Sequence, residues 1–245
     1  MEKSLSKIVY MNILILGGSS DIGIKVIEAF LKQGYNVTAH YNKNKKVFSN
    51  FIKKKNFSYI KLDLINSLKL EKFLNKNKKK FKKFDVFISL TGFMKIKKFI
   101  NLSAQDILDH ISANYISNLL VTQNLLNEMK KRKWGRILFA SSIGTKFGGG
   151  TFTFAYSVSK YLNEFFPSEY KKYYKYNILI NTLQIGVTNT KIHKKNKNKD
   201  MKKRINLIPI KRMAATEEVV DQILFLCSKK NKLITNQVIN IAGGE

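Results

Sequence analysis

Short apolar runs alternate with stretches of helical periodicity along the whole chain, and this alternation limits the possible folds more than any other feature. The apolar runs predict strands near residues 12–16, 36–41, 57–62, 84–90, 135–141, 177–184 and 236–241. Helices are predicted near residues 21–33, 44–55, 67–80, 103–131, 155–175 and 216–230. This order predicts an α/β fold, a doubly wound parallel sheet of about seven strands with helices on both faces.

The first predicted strand runs directly into a glycine-rich turn. Residues 11–16 have the pattern of a buried parallel strand, residues 17–23 read Gly-Gly-Ser-Ser-Asp-Ile-Gly, and a helical pattern follows. A turn between a strand and a helix aims backbone N–H groups and the positive end of the helix dipole at a phosphate. Asp21 stands where a dinucleotide-binding loop usually has its middle glycine. Asp21, Ser19 and Ser20 are alternative caps for the helix.

Tyr156 and Lys160 form the second motif, with the serine pair Ser141 and Ser142 upstream of it. A helix places residues four apart on one face. The Lys160 ammonium is expected to lower the pKa of the Tyr156 phenol from about 10, which would let the tyrosine exchange a proton with a substrate oxygen near neutral pH. A surface lysine beside a half-buried aromatic residue would have the same spacing.

The motifs in this order resemble the short-chain dehydrogenase/reductase family, in its compact single-domain branch, and are similar to those of 3-oxoacyl-carrier-protein reductases. The resemblance runs from about Asn12 to Gly244. It rests on Gly17, Gly23, Asp63, Asn114, Ser142, Tyr156, Lys160, Asn181, Gly186 and Thr190. It implies one Rossmann-type domain over residues 1–245, with a possible N-terminal extension at 1–10 and a substrate lid at 188–208.

The same resemblance implies roles for four residues. Tyr156 would be the general acid/base, and Lys160 would bind the nicotinamide ribose while tuning the tyrosine. Ser142 would hold the substrate carbonyl as charge develops on its oxygen, with Ser141 as the alternative serine. Asn114 would hold an ordered water of a proton relay behind Lys160.

The implied cofactor is NADP (NADPH), with NAD as the alternative. NADP is preferred because no acidic residue ends the second strand, where Lys43 or Lys45 is placed to meet a 2′-phosphate. Asp63, after the third strand, resembles the family's adenine-binding aspartate, and an acidic helix cap explains it equally well. The cofactor-binding residues implied by the resemblance are Gly17, Ser19, Ser20, Asp21, Ile22, Gly23, Tyr41, Asn42, Lys43, Asp63, Leu64, Gly92, Tyr156, Lys160, Gly186, Thr188 and Thr190.

Two departures from the family pattern affect the prediction. The family's Asn-Asn-Ala-Gly stretch is Ser-Leu-Thr-Gly at residues 89–92, so a backbone-bracing asparagine is missing there. Pro167 falls inside the helix predicted at 155–175, where it is expected to kink the axis beyond Tyr156 and Lys160.

The net charge of +29 suggests a polyanion partner, but its composition argues otherwise. The cations are 41 lysines and only four arginines, and base readout favours arginine. Nucleic acid is therefore not the expected partner, and a lysine bias over solvated faces explains most of the charge. The run from Lys191 to Arg204 carries eight lysines or arginines in the predicted lid. These would attract an anionic substrate.

Cysteine and histidine usage excludes two further classes of site. Cys227 is the only cysteine, so no intrachain disulfide is possible, and it is expected to face the core. The histidines are scattered and no metal site is expected. Apolar runs are too short for a membrane span, which predicts a cytoplasmic protein without a membrane partner.

The sequence thus predicts an NADP-dependent carbonyl reductase, with 3-oxoacyl thioesters as the first candidate substrates. The alternative is a keto-sugar or nucleotide-sugar reductase of surface polysaccharide synthesis. An alternative of another class is a catalytically silent cofactor-binding sensor or polyanion-binding protein. A homodimer or homotetramer is expected because the predicted helices 103–131 and 155–175 carry the apolar residues Leu119, Leu120, Leu162, Phe165 and Phe166.

Overall fold

The computed structural model describes residues 11–192 and 200–245, which build one seven-stranded sheet. Its order is β3-β2-β1-β4-β5-β6-β7, and every neighbouring pair is parallel. The strands are β1 (Asn12–Leu16), β2 (Asn36–Tyr41), β3 (Phe57–Lys61), β4 (Val86–Ser89), β5 (Gly135–Ser142), β6 (Ile178–Ile185) and β7 (Val238–Ile241). The predicted fold class is confirmed.

Helices connect the strands on both faces of the sheet. They are α1 (Asp21–Lys32), α2 (Ser67–Lys76), α3 (Lys78–Phe81), α4 (Ala104–Ile111), α5 (Ser117–Arg132), α6 (Phe154–Tyr161), α7 (Lys171–Tyr174), α8 (Met201–Asn206) and α9 (Thr216–Leu226). A π-helical turn, Ser112–Ile116, joins α4 to α5. Short 3-10 turns lie at Lys46–Phe48, Phe99–Asn101, Ile143–Thr145, Leu162–Glu164 and Ser168–Tyr170.

Alternating residues of the central strands enter two separate cores. In β1, Ile13 and Ile15 pack on the face that α1 and α9 cover, whereas Leu14 and Leu16 pack on the face that α2 and α5 cover. Both faces of a parallel sheet are buried in this way, which explains the continuous apolar runs in the sequence. The arrangement leaves the carboxyl ends of the strands free to form a site.

The helix predicted near 44–55 is wrong. The segment forms only the 3-10 turn Lys46–Phe48 followed by further turns. Phe48 and Phe51 turn inward, and both rings pack against Phe57, while Phe48 also meets Tyr41 edge-on. Two aromatic anchors close together in sequence are buried here by a compact turn, although their spacing also suits a helix.

The predicted helix 155–175 ends early instead of kinking. α6 stops at Tyr161 and continues only as the 3-10 turn Leu162–Glu164, and Phe165 is extended with φ −86° and ψ 117°. Pro167 lacks an N–H and restricts the residue before it to extended backbone. The predicted helix 67–80 likewise divides at Asn77 into α2 and α3.

Some predictions fall outside the described residues. These are the N-terminal extension at 1–10 and the lid residues His193, Lys194 and Lys195. Within the residues that are described, the helices are all too short or too polar to cross a membrane. Cys227 is a buried free thiol directly after α9.

Candidate active site

A cleft of about 1560 Å³ lies at the carboxyl ends of the strands, where ligands bind in open parallel sheets. Most of the predicted site residues line it: Gly17, Ser19, Ser20, Asp21, Ile22, Asn42, Asp63, Leu64, Gly92, Ser142, Tyr156, Lys160, Gly186, Thr188 and Thr190. Gly23, Tyr41, Lys43 and Asn114 do not line it. The fold therefore brings together residues that are far apart in sequence.

The glycine-rich turn at one end of the cleft has no room for side chains at its three glycines. Gly17 has φ +70°, and a Cβ there would lie 2.6 Å from the Leu90 carbonyl carbon. A Cβ on Gly23 would lie 2.6 Å from the Gly18 oxygen. The first-turn N–H groups of α1 have no acceptor inside the helix, and Asp21 and Ile22 of that turn line the cleft. This arrangement fits a dinucleotide diphosphate.

Ser20 is the helix cap among the three alternatives. Its Oγ accepts a hydrogen bond from the Gly23 N–H at 3.1 Å and donates to the Gly17 oxygen at 2.8 Å. Asp21 has a different partner, because its Oδ2 accepts the Lys191 backbone N–H at 2.7 Å. Asp21 thus connects the phosphate loop to the start of the predicted lid.

His40, on β2, holds the same loop through a side-chain hydrogen bond. The Gly17 N–H donates to its Nδ1 at 3.1 Å, so its Nε2 carries the proton and donates to the Leu62 oxygen at 3.1 Å. Burial lowers the pKa of His40 to about 4, and a neighbouring backbone hydrogen bond and Asp63 only partly oppose this. Sequence reasoning missed this role, since an isolated histidine carries no motif.

Two of the predicted cofactor-binding residues at the end of β2 lie away from the cleft. Tyr41 lies in the core, edge-on to Phe48, and Lys43 is exposed outside the cleft lining. Successive residues of a strand face opposite sides, so Tyr41 turns inward when His40 faces the loop. Asn42 and Asn44 line the cleft here, together with Lys25 from α1.

The motif residues Tyr156 and Lys160 share one face of α6, as predicted. Lys160 is 2% exposed, and its Nζ donates to the Thr91 oxygen at 2.9 Å. Ser142 lies close enough to Tyr156 for its hydroxyl to lower the tyrosine pKa through a hydrogen bond. Ser141 instead donates to the Glu164 carboxylate and to the Lys160 oxygen. Ser142 is therefore the serine that faces the tyrosine.

The expected effect of Lys160 on Tyr156 is wrong. Burial raises the pKa of Tyr156 to about 12, and the opposing contribution comes from Ser142. Burial also lowers the pKa of Lys160 to about 7, against an opposing effect of Glu164. Desolvation dominates both groups. Tyr156 is consequently a protonated donor at neutral pH.

Asn114 braces the loop after β4. It lies in the π-helical turn, where its Oδ1 accepts the Phe93 N–H at 2.8 Å. Its Nδ2 donates to the Phe93 oxygen and to Ser159 Oγ, each at 2.9 Å. Its backbone oxygen accepts the side-chain amides of Asn118 and Asn163. These contacts commit the side chain to the loop after β4, and the expected water relay stays a prediction.

Two further predicted residues have structural contacts. Asp63 Oδ1 accepts the Ile65 N–H at 3.2 Å, so it closes a turn as well as lining the cleft. Asn181 is buried and bonds to the segment before β7, through Ile234 and Gln237. It holds β6 to β7 and lies outside the cleft lining.

Two acidic residues hold the two ends of the predicted lid. Asp21 Oδ2 accepts the backbone N–H of Lys191, and Asp21 Oδ1 lies 3.7 Å from Lys191 Nζ. Arg204 of α8 pairs with Glu245, whose side chain is only 4% exposed. No sequence pattern indicates these pairs, because their partners are distant along the chain.

Comparisons with known proteins show the family to which the chain belongs. A family model described as enoyl-(acyl carrier protein) reductase matches residues 17–245. The chain belongs to the short-chain dehydrogenase/reductase family of NAD(P)-dependent oxidoreductases.

Individual relatives are similar at modest identity. The chain is 33% identical over 161 residues to the 3-oxoacyl-[acyl-carrier-protein] reductase FabG of Aquifex aeolicus, a match over 65% of the chain and 64% of the relative. It is 26% identical to FabG of Buchnera aphidicola subsp. Acyrthosiphon pisum over 94% of the chain and 95% of the relative. It is equally 26% identical to the L-rhamnose 1-dehydrogenase (NADP(+)) of Thermoplasma acidophilum, over 95% of each.

A solved structure shows the same fold. The structure described as ElxO with NADP bound superposes with a TM-score of 0.82 at 25% identity, over 96% of this chain and 98% of that one.

Proposed function

We propose that the protein is an NADPH-dependent reductase of 3-oxoacyl thioesters. The observation that carries the proposal is that Ser142, Tyr156 and Lys160 converge in a cleft that begins at a glycine-walled phosphate loop. The names of the FabG relatives support the substrate class.

The residues suggest a division of work in the reaction. When bound, the nicotinamide supplies the hydride for the carbonyl carbon. Ser142 donates a hydrogen bond to the carbonyl oxygen, and Tyr156, protonated because its pKa is about 12, gives that oxygen its proton as negative charge develops. Lys160 holds the ribose and stabilises the tyrosine oxygen once the proton has left.

The preference for NADP rests on the end of β2. The residues from His40 to Lys45 include no carboxylate that would pair with a ribose diol, and the amides of Asn42 and Asn44 line the cleft beside Lys25. The names of two similar proteins include NADP. Fluorescence titration should give a lower Kd for NADPH than for NADH, and tighter NADH binding would reverse this assignment.

The substrate end of the cleft has apolar walls and a cationic rim. Met94, Phe147, Ile192 and Leu207 line it and suit an acyl chain. Lys191 also lines the cleft, and its ammonium, on a side chain that is 84% exposed and 3.7 Å from Asp21 Oδ1, would attract the phosphate of a carrier arm. A keto-sugar or nucleotide-sugar reductase is the second candidate, favoured by the name of the L-rhamnose dehydrogenase relative.

A comparison of kcat/KM between substrates tests the proposal. We expect kcat/KM to be highest for a carrier-linked 3-oxoacyl thioester, lower for its neutral N-acetylcysteamine analogue, and for the difference to shrink as salt rises. Equal, salt-independent kcat/KM values for the two thioesters would show that the negative charge of the carrier does not contribute to recognition. A larger kcat/KM for a nucleotide-linked keto-sugar would favour the second candidate. Inactivity on all substrates, with cofactor binding retained, would identify a silent sensor.

A further inference from the structure

The carboxylate of Glu164 collects three hydrogen-bond donors behind the lining of the cleft. Glu164 ends the 3-10 turn Leu162–Glu164, which continues helix α6. Its Oε1 accepts from the Ser141 hydroxyl, from the Thr145 hydroxyl at 2.8 Å and from the Gln184 side-chain amide at 3.0 Å. Glu164, Thr145 and Gln184 do not line the cleft, so the carboxylate can act on the site only through its neighbours.

Two of these donors flank Ser142 along the chain. Ser141 precedes it at the end of β5, and Thr145 ends the 3-10 turn that follows it. The Thr145 hydroxyl also lies 2.8 Å from the Ser142 carbonyl oxygen, so it contacts the backbone of that serine directly. One carboxylate oxygen of Glu164 therefore holds the chain on both sides of Ser142.

We propose that Glu164 is a positioning residue of the active site, which holds Ser142 in place relative to Tyr156. Glu164 belongs to the helical segment that carries Tyr156, and two of its partners belong to the chain around Ser142. Its hydrogen bonds therefore join the two elements whose side chains would share the substrate oxygen. The inference rests on the proposed reductase function.

Contacts with β6 restrict the arrangement further. Gln184 lies on β6 opposite Ser141, and its amide nitrogen donates both to Glu164 and, at 2.8 Å, to the Thr145 hydroxyl. Gln184 is 6% exposed and Ser141 is 3% exposed, so little water competes for these bonds. Such support matters because a catalytic side chain must be held to within about 0.5 Å, and a displacement of about 1 Å can slow a reaction about 100-fold.

The positioning role requires an acceptor at residue 164 but not a charge. In Glu164→Gln the amide oxygen can accept the same donors, so kcat for thioester reduction should stay within about threefold of the natural value. Glu164→Leu has a similar volume and no acceptor, and it should lower kcat by about 10- to 100-fold with an NADPH Kd within about twofold of the natural one. The control Glu169→Leu removes an exposed carboxylate that pairs with Lys172 and should leave kcat unchanged.

A double-mutant cycle tests whether Glu164 acts through Ser142. In protein that already carries Ser142→Ala, Glu164→Leu should lower kcat by less than about threefold, because the side chain that it positions is gone. Losses that multiply in the double variant would overturn the proposal, and so would equal losses in Glu164→Gln and Glu164→Leu. Thr145→Val removes the hydroxyl between Glu164 and Ser142 and should repeat the result, and it carries the test if Glu164→Leu does not fold.

A second readout does not depend on turnover. The Gly144 N–H donates to Ser142 Oγ at 3.2 Å, so its exchange with solvent deuterium reports whether that hydroxyl is in place. This exchange should be about tenfold faster in Glu164→Leu than in the natural protein or in Glu164→Gln. An unchanged rate would refute the proposal, and so would a rise shared by the amides of β1, which would indicate a general loss of stability. If the natural protein reduces no ketone while the Gly144 rate alone rises, the proposed function fails and the positioning role of Glu164 stands.

Discussion

His40 is held neutral by burial, and this makes it a measurable contributor to stability. Its pKa is about 4 in the folded protein, against an ordinary value of 6.5 for an exposed histidine. The unfolded chain therefore binds more protons between these values, so the free energy of unfolding falls as pH is lowered through this window and is fully restored above pH 6.5. The expected loss between pH 7 and pH 5 is about 2 kcal/mol.

His40→Gln isolates this contribution. Glutamine can still accept from Gly17 and donate to the Leu62 oxygen, but it does not titrate. Urea unfolding at pH 7 and pH 5 should show a stability loss about 2 kcal/mol smaller in the variant. The same pH dependence in both proteins would show that His40 is not the titrating group.

At the residue scale, the sequence predicted the groups that carry motifs and missed the groups that support them. Tyr156, Lys160 and Ser142 were found because helical spacing and strand register place them. His40 contacts Gly17, and Glu164 contacts Ser141 and Gln184, across 20 or more residues. Such contacts depend on how elements pack, and no local pattern encodes them.

At the element scale, strands were predicted better than helices. Burial on both faces forces a continuous apolar run on each parallel strand. Helix ends depend on weaker local signals. The helix predicted through Pro167 ends before it instead of kinking, since Phe165 is already extended. Around Phe48 and Phe51, aromatic packing outweighed an amphipathic spacing that predicted a helix.

The π-helical turn between α4 and α5 yields a prediction about Asn114. Asn114→Ala removes three side-chain hydrogen bonds to Phe93 and Ser159. Since the Phe93 backbone would lose both partners, we expect unfolding to become about 2–3 kcal/mol easier. The pH dependence of kcat/KM for carbonyl reduction should stay unchanged, because the side chain braces a loop and does not titrate.

Asn124→Ala is the matched control on α5, since its Nδ2 bonds only to the nearby Leu120 oxygen in the described contacts. It should cost less than about 1 kcal/mol, as a local bond on a helix surface. If Asn114→Ala instead kept its stability and changed the pH dependence of carbonyl reduction, the relay role would be supported over the bracing role.

At the scale of the whole molecule, we propose a homodimer or homotetramer. Phe165 is 68% exposed and Tyr161 is 61% exposed beside the end of α6, whereas Leu120 and Phe166 already pack on the core. Exposed aromatic side chains at one place are costly unless another surface covers them. Light scattering at micromolar concentration should give twice or four times the mass of the chain.

Phe165→Ser should shift this distribution toward the monomer. Leu68→Ser, at an equally exposed position on α2, should leave the mass unchanged. A monomer mass for the natural protein would contradict the assembly proposal without affecting the chemistry of the cleft.

Absorbance at 340 nm follows NADPH oxidation, and its loss in a Tyr156 variant tests proton donation by Tyr156 in the reduction of a 3-oxoacyl thioester. The natural protein should consume NADPH when the thioester is added. Tyr156→Phe should lower kcat by at least about 100-fold, with an NADPH Kd within about twofold of the natural value. Undiminished turnover in Tyr156→Phe, or no thioester-dependent NADPH consumption by the natural protein, would contradict the claim.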